Sequence, residues 1–472
     1  MPAKYVIHAK PAAPRVRSVG KLGIVDWRED CASCHNCVKR ACIYGLYRDE
    51  ADTLHNELGY LDYIYQCKGC LSCVQNCTKN ILTRVVNPEY LRLGDDYFTP
   101  DIILSTWFQS ETGRIPVSGS GYGGPFSGSG FDSMWTDMSE IVRPTRDGIH
   151  GREYISTSVD LGRKLPYLAF EEDQLNSAPP PLAEIPLPVI FDVIPEHWCR
   201  GAVVAAVAAA AAQLGTLTVV RERDLQADSN LNRANVVPLL AAVDSDNSLS
   251  SPLVMIQDSS DVMAAQATVK GERANAIVAI RVQASPTAAA HIVDLARGGA
   301  EIIHLVFDAH GRELAVEPRH MRDVLREVHG ALVRQGLRDE VTLIASGGIA
   351  LAEHVAKAII CGADLVAIDV PLLLAMECRL CGECQRGEIC QIALEEIEPA
   401  YGAQRIVNLI SAWHQQLLEV LGAMGIREVR RLRGETGRAM FFEDLEREAF
   451  GRLFGKRKTP GPVVMSEQKG LS

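Results

Sequence analysis

Eight short apolar runs, each followed by a helical pattern, most restrict what this chain can fold into. They are PVIFDVI (188–194), LTVVRER (217–223), VVPLLAAV (236–243), PLVMIQD (252–258), AIVAIRV (276–282), EIIHLVFD (301–308), VTLIASG (341–347) and DLVAIDV (364–370). The runs are β-branched and almost continuously hydrophobic, as strands covered on both faces must be. Helical patterns such as 318–337 lie between most of them. Strands that alternate singly with helices make a parallel sheet. With the count at eight, the expected fold is α/β, a (β/α)8 TIM-type barrel over 188–376; a doubly wound open sheet is the alternative. The barrel is favoured because the strongest glycine signal, ASGGI (345–349), follows the seventh run, where many barrels bind phosphate.

The second constraint is covalent. Cys31, Cys34, Cys37 and Cys42 read C-x2-C-x2-C-x4-C, and Cys67, Cys70, Cys73 and Cys77 read C-x2-C-x2-C-x3-C. This is the spacing of a two-cluster bacterial ferredoxin, in which the fourth cysteine of each run ligates the other cluster. The expected groupings are Cys31, Cys34, Cys37 with Cys77, and Cys67, Cys70, Cys73 with Cys42, each holding a 4Fe–4S cluster. Zinc is disfavoured, since structural zinc sites draw on separated pairs rather than triplets. Ile43 and Thr78 stand where the usual ferredoxin run has proline, which changes the loops and removes no ligand.

A third group follows the eighth run: Cys378, Cys381, Cys384 and Cys390, spaced C-x2-C-x2-C-x5-C. Four thiolates suit another 4Fe–4S cluster; with Cys381 a bystander, the other three suit 3Fe–4S. Of fourteen cysteines, only Cys199 and Cys361 remain, both in apolar helical contexts that imply packing.

The 472 residues divide into an N-terminal arm (1–25), a bacterial-ferredoxin-like α+β module (26–95), a loop-rich Gly/Pro segment (96–187), the barrel (188–376), the third cysteine loop (377–395), C-terminal helices (396–456, around 400–424 and 438–454) and a basic, frayed tail (457–472). A net charge of −11 argues against nucleic acid as the main partner. The alanine-rich stretch 201–215 is too short to span a bilayer and reads as a buried barrel helix, so no transmembrane segment is expected. No apolar signal region opens the chain, and the cysteine usage suits a reducing compartment, so a cytoplasmic location is expected. In the segment 100–185, Arg143, Arg146, His150 and Arg152 are candidates for an anion-binding surface or for an interface that docks the ferredoxin-like module.

The stretch GLRDEVTLIASGGIALAEHVAKAIICGADLVAIDVPLLLAMEC, with MGIREVRRLRGETGRAM beyond it, resembles the FMN-binding synthase domain of the glutamate synthase family. The ferredoxin-like module in front is similar to the archaeal type. The resemblance implies FMN, with Ser346, Gly347 and Gly348 at its phosphate and Arg281 where the family has a lysine beside the flavin. Gly121, Gly123 and Gly124 correspond loosely to a glycine-rich segment of the family.

The chain departs from the family in several places. Asp369 stands in the strand-eight segment that is FGFGT in the family and would put a carboxylate beside the phosphate. FDAHGRELAVEP (307–318) replaces the segment that helps hold flavin and substrate. His304 and His310 lie nearby and read equally well as surface residues. The chain opens on Met1-Pro2, without the nucleophilic cysteine of the family's amidotransferase.

Three functions follow as expectations. The first is an iron–sulfur flavoprotein oxidoreductase that relays electrons through its clusters to or from FMN, with redox partner proteins or subunits of a larger complex. The second is a glutamate synthase acting on 2-oxoglutarate and ammonia. The third is a structural subunit that keeps clusters for stability.

Overall fold

In the computed structural model, the described residues are 5–16, 19–25, 40–41, 70–79, 83–115, 130–136, 154–175, 180–196, 201–227, 235–240 and 251–455. Cys31, Cys34, Cys37, Cys42, Cys67 and Cys199, Gly121 to Gly124, and Arg143 to Arg152 lie outside them, as does the tail beyond 455.

All eight apolar runs are strands of one closed parallel barrel. They are β1 (Val189–Phe191), β2 (Thr218–Arg221), β3 (Val236–Leu240), β4 (Leu253–Gln257), β5 (Ile277–Gln283), β6 (Ile302–Val306), β7 (Thr342–Ser346) and β8 (Leu365–Ile368). Closure comes from β8 against β1, with Val366 opposite Val189 and Ile368 opposite Phe191. Every residue of β1, β7 and β8 is buried, which is why these runs are continuously apolar instead of alternating. The open-sheet alternative is thereby excluded.

Nine helices need names: α1 (Pro100–Thr112), α2 (Gly201–Leu214), α3 (Glu222–Ala227), α4 (Val262–Glu272), α5 (Ala288–Gly298), α6 (Met321–Arg334), α7 (Ala352–Ile360), α8 (Val370–Ala375) and α9 (Pro399–Ala423). The alanine-rich α2 is a barrel helix whose small side chains let α9 lie close. A Cβ added at Gly402 of α9 would meet the Cβ of Ala206 at 2.9 Å. No helix among the described residues is long and apolar enough to cross a membrane. At the N-terminal end of the barrel, Val159–Leu161 pairs antiparallel with Ala183–Ile185. The Thr342 hydroxyl at the start of β7 donates to the Gly162 carbonyl at 2.8 Å. Leu161, Ile185 and Leu187 are buried there and close that end.

Two expectations need correction. The segment read as loop-rich contains α1, whose polar letters suggest a loop but are satisfied inside the helix. Thr106 Oγ1 donates to the Ile102 carbonyl and Ser110 Oγ to that of Thr106, at 2.9 and 2.8 Å. Helix α1 is buried nearly all round, so it lacks the polar stripe that makes a surface helix legible. The second C-terminal helix, expected from 438, begins instead as a strand. Ala439–Phe441 pairs with Met134–Thr136, and helical turns start only at Phe442.

The arm crosses α1 and α9. Buried Asn408 of α9 accepts from Lys10 N at 3.0 Å and donates to the carbonyls of Lys10 and Ser110 at 2.7 and 2.8 Å. Arg405 donates to the Ala12 carbonyl at 2.9 Å. The arm ends in a strand, Leu22–Val25, paired antiparallel with Thr83–Val86 across the ferredoxin-like segment.

Candidate functional site

The C-terminal mouth of the barrel holds a compact charged group. Asp192 directly follows β1, Arg281 is on β5, His304 is on β6, and Asp369 directly follows β8. Arg281 and His304 are register partners on adjacent strands. The Arg281 guanidinium grips Asp192 in a fork, at 2.6 and 3.1 Å. Asp192 is 3% exposed. Burial is the largest single influence and opposes its ionisation, but Arg281 and His304, with hydrogen bonds from Arg281 and Val193 N–H, together outweigh it and hold the carboxyl well below the usual range.

His304 Nδ1 lies 3.2 Å from Arg281 Nη1. A guanidinium can only donate, so Nδ1 accepts, and the ring is the neutral Nε2–H tautomer. Burial pushes the His304 pKa down to about 3, Arg281 adds to the shift, and Asp192 opposes it. His304 is fully buried, which corrects its reading as a surface residue.

Asp369 caps α8, accepting Val370 N–H at 2.7 Å. Desolvation, reinforced by the charge on Asp192, pushes its pKa up to about 6. Asp192 was missed in the sequence, although a single acid closing an apolar strand run is a visible signal.

The residues expected to cradle a phosphate sit elsewhere in the mouth. Ser346 ends β7, and its buried hydroxyl has no partner. Gly347 and Gly348 have φ of +93° and +68°. A Cβ on Gly347 would lie 2.4 Å from the Asp308 carbonyl oxygen, and one on Gly348 2.3 Å from Gly311 N. Loop 307–311 therefore lies directly against this turn, and the glycines are required by that contact.

Two nearby backbone donors are engaged. Ala350 N–H donates to His354 Nδ1 at 3.1 Å, and Val370 N–H is held by Asp369. Tyr97 donates to the Gly348 carbonyl at 2.6 Å. Leu351 of the β7 turn and Val370 and Leu374 of α8 pack in one apolar cluster with Phe98, Ile103 and Trp107. The Ser346 hydroxyl is thus a buried donor without a partner in the turn where the resemblance places a phosphate, while Arg281 is engaged by Asp192.

The third cysteine group fits its expected chemistry. Cys378, Cys381, Cys384 and Cys390 line a single recess with Arg379 and Leu380. The loop is folded by left-handed residues, with Leu380 at φ 48°, Gly382 at 70° and Gly387 at 77°. Its base is clamped by Glu377, which accepts from Arg15 N and Nε at 2.8 and 3.0 Å. Among the described residues, the trio of metal-capable groups lying within 4.8 Å of one another is Asp95, Asp96 and His310, not any three of these thiols. A tetrahedral zinc with bonds of about 2.3 Å draws its thiolates to about 3.8 Å apart. No three of these thiols lie that close in this structure.

Of the ferredoxin-like ligands, Cys70, Cys73 and Cys77 are described. Cys73 is on the short helix Ser72–Gln75 and Cys77 two residues beyond it. The chain leaving this module rests on the third loop: Gly94 N–H donates to the Arg379 carbonyl at 3.0 Å, next to Cys378. Lys21 pairs with Asp101 of α1 at 3.0 Å.

A parallel (β/α)8 barrel with a charged C-terminal mouth, followed after one short helix by a four-cysteine recess, defines a class of barrel with an appended cysteine loop. Residues 256–427, from β4 through α9, match the protein-family model "Conserved region in glutamate synthase". The chain is 26% identical to an archaeal-type glutamate synthase [NADPH] of Dehalococcoides mccartyi, over 87% of this chain and 93% of that one. It is 25% identical to the archaeal glutamate synthase [NADPH] of Archaeoglobus fulgidus, over 91% and 96%. A shorter match, 34% identical over 34% of each chain, is to the archaeal glutamate synthase [NADPH] of Methanocaldococcus jannaschii. Most of the chain is thus similar to archaeal-type glutamate synthases, and its residues 256–427 match that family's conserved region.

Proposed function

We propose that this chain is an iron–sulfur oxidoreductase that carries single electrons through clusters held by its three cysteine groups, working with redox partner proteins. The observation that carries the reading is the recess in which four cysteines converge, braced by the segment that leaves the ferredoxin-like module. Cys378, Cys381, Cys384 and Cys390 would hold the third cluster, and Cys70, Cys73 and Cys77 belong to the tandem ligand set. Clusters supply one-electron steps at potentials tuned by burial and by hydrogen bonds to sulfur.

Similarity to the glutamate synthase family supports FMN as the cofactor of the barrel, and Ser346, whose buried hydroxyl has no partner, and the Gly347–Gly348 turn would hold its phosphate. The names of the relatives favour a second reading, glutamate synthesis from 2-oxoglutarate and ammonia. Arg281, a cation at the barrel mouth, is paired with Asp192.

One preparation tests these readings: anaerobic purification and reconstitution of the full chain, followed by iron, sulfide and flavin analysis and reduction with dithionite. The proposal expects about twelve irons per chain and reversible bleaching of the cluster absorbance. A chain that retains no iron would refute it. Glutamate formed with reduced ferredoxin, 2-oxoglutarate and ammonia would establish the second reading, and stoichiometric flavin would show that the barrel binds FMN.

A further inference from the structure

We propose that the third centre is a four-iron cubane ligated by all four cysteines, with Cys381 holding the fourth iron. This rests on the reading that the loop 377–395 binds an iron–sulfur cluster.

The chemistry separates two cases. A three-iron centre needs three thiolates, which Cys378, Cys384 and Cys390 supply at equal x5 spacing. In that case the cubane corner near Cys381 would face a residue that does not ligate. Here a thiol is present at that corner. Cys381 lines the same recess as the other three, and it is half-buried instead of pointing into solvent.

The backbone is shaped to put it there. Leu380 and Gly382, on either side of Cys381, both adopt left-handed φ. That conformation costs a non-glycine residue about 1–2 kcal/mol and persists only where the surroundings impose it. The result is Cys378-x2-Cys381-x2-Cys384, the triplet that grips one face of a cubane, with Cys390 as the remote fourth ligand.

A second observation points to an anionic occupant. Arg379 lines the recess, its Nη1 donates to Gln391 at 3.1 Å, and its Nε is buried and without a partner. A cubane with four thiolates is net negative, and an N–H directed at its sulfur satisfies such a donor and raises the reduction potential. Cys381 is therefore a ligand that makes the centre a low-iron-loss cubane.

The test uses the full chain, reconstituted anaerobically, as wild type and as Cys381→Ala and Cys384→Ala variants. Iron is counted, and EPR spectra are taken in the oxidised and dithionite-reduced states. The proposal expects a wild type without a three-iron signal in its oxidised state. It expects Cys381→Ala to lose about one iron per chain and to gain that signal, with the ferredoxin-like clusters still reducible as evidence that the fold is intact. A three-iron signal at full occupancy in the wild type, or unchanged iron and spectra in Cys381→Ala, would overturn the proposal while leaving a cluster in the loop. Iron content unchanged in Cys384→Ala would overturn both the proposal and the reading beneath it.

Discussion

Replacing Arg281 by methionine should strip the barrel mouth of the charge that makes an ionised Asp192 tolerable. The side chain of Asp192 is 4% exposed and receives two guanidinium hydrogen bonds, at 2.6 and 3.1 Å. Removing one partner of a buried pair costs about 3–5 kcal/mol, because the other charge is left desolvated and unpaired. For a domain of this size that corresponds to a fall of roughly 6–10 °C in Tm.

The pH dependence makes the test specific. In the wild type the folded pKa of Asp192 lies below its unfolded value, so its stabilisation is complete above about pH 4 and is lost only in acid. In Arg281→Met the order reverses. The native state takes up a proton that the unfolded state has released, whether on Asp192 or on His304, 3.7 Å away. Stability then falls as pH rises.

Urea unfolding followed by circular dichroism should therefore show a gap between wild type and variant that is wide at pH 8 and narrower at pH 5. The double variant Asp192→Asn/Arg281→Met should recover most of the loss, since it leaves no isolated charge. A gap under about 1 kcal/mol, below the range for broken buried pairs, or a gap equal at both pH values, would refute the claim that this pair is a desolvated ion pair.

Three further outcomes follow from the same geometry. The folded pKa of Asp369 lies above its unfolded value, so its ionisation costs the native state stability as pH rises toward about 6. Part of the residue remains open to solvent, so Asp369→Asn should stabilise by about 1–2 kcal/mol at pH 8, with the difference vanishing near pH 4 in the same urea titrations. Gly348→Ala would place a Cβ 2.3 Å from Gly311 N at φ +68° and should cost about 2–4 kcal/mol, read as a lowered Tm and reduced soluble yield. Asn408→Ala removes four hydrogen bonds that tie the arm, α1 and α9 together, and a fifth from Gln404 within α9. It should cost about 2–3 kcal/mol and speed proteolysis of the arm, and an unchanged cleavage rate would show that the arm is held elsewhere.

The barrel was legible because each strand announces itself locally: a short run of β-branched residues buried on both faces needs no knowledge of its partners. Helix α1 was hidden because its Ser, Thr and Gln side chains bond within the helix or into the core, which hydropathy reads as loop. Arg281 was picked out as a mouth residue, but its pairing with Asp192, eighty-nine residues earlier, was not visible. Gly347 and Gly348 were expected at a phosphate, and the structure shows that they also make a left-handed turn. What presses on that turn is loop 307–311, which periodicity cannot bring there.

The primary structure alone settled two things, the eight-strand alternation and the ligand spacing of the cysteines. Both are local: one is a periodicity in burial, the other a reach of a few bonds between thiolates. Tertiary structure decided what the mouth of the barrel can hold. Whether Arg281 is free or spent, whether His304 is charged, and whether Val370 N–H is available all depend on which groups from distant strands share a desolvated space. Electrostatic energy in that space is set by separations of a few ångströms across β1, β5, β6 and β8, and no reading along one strand contains them.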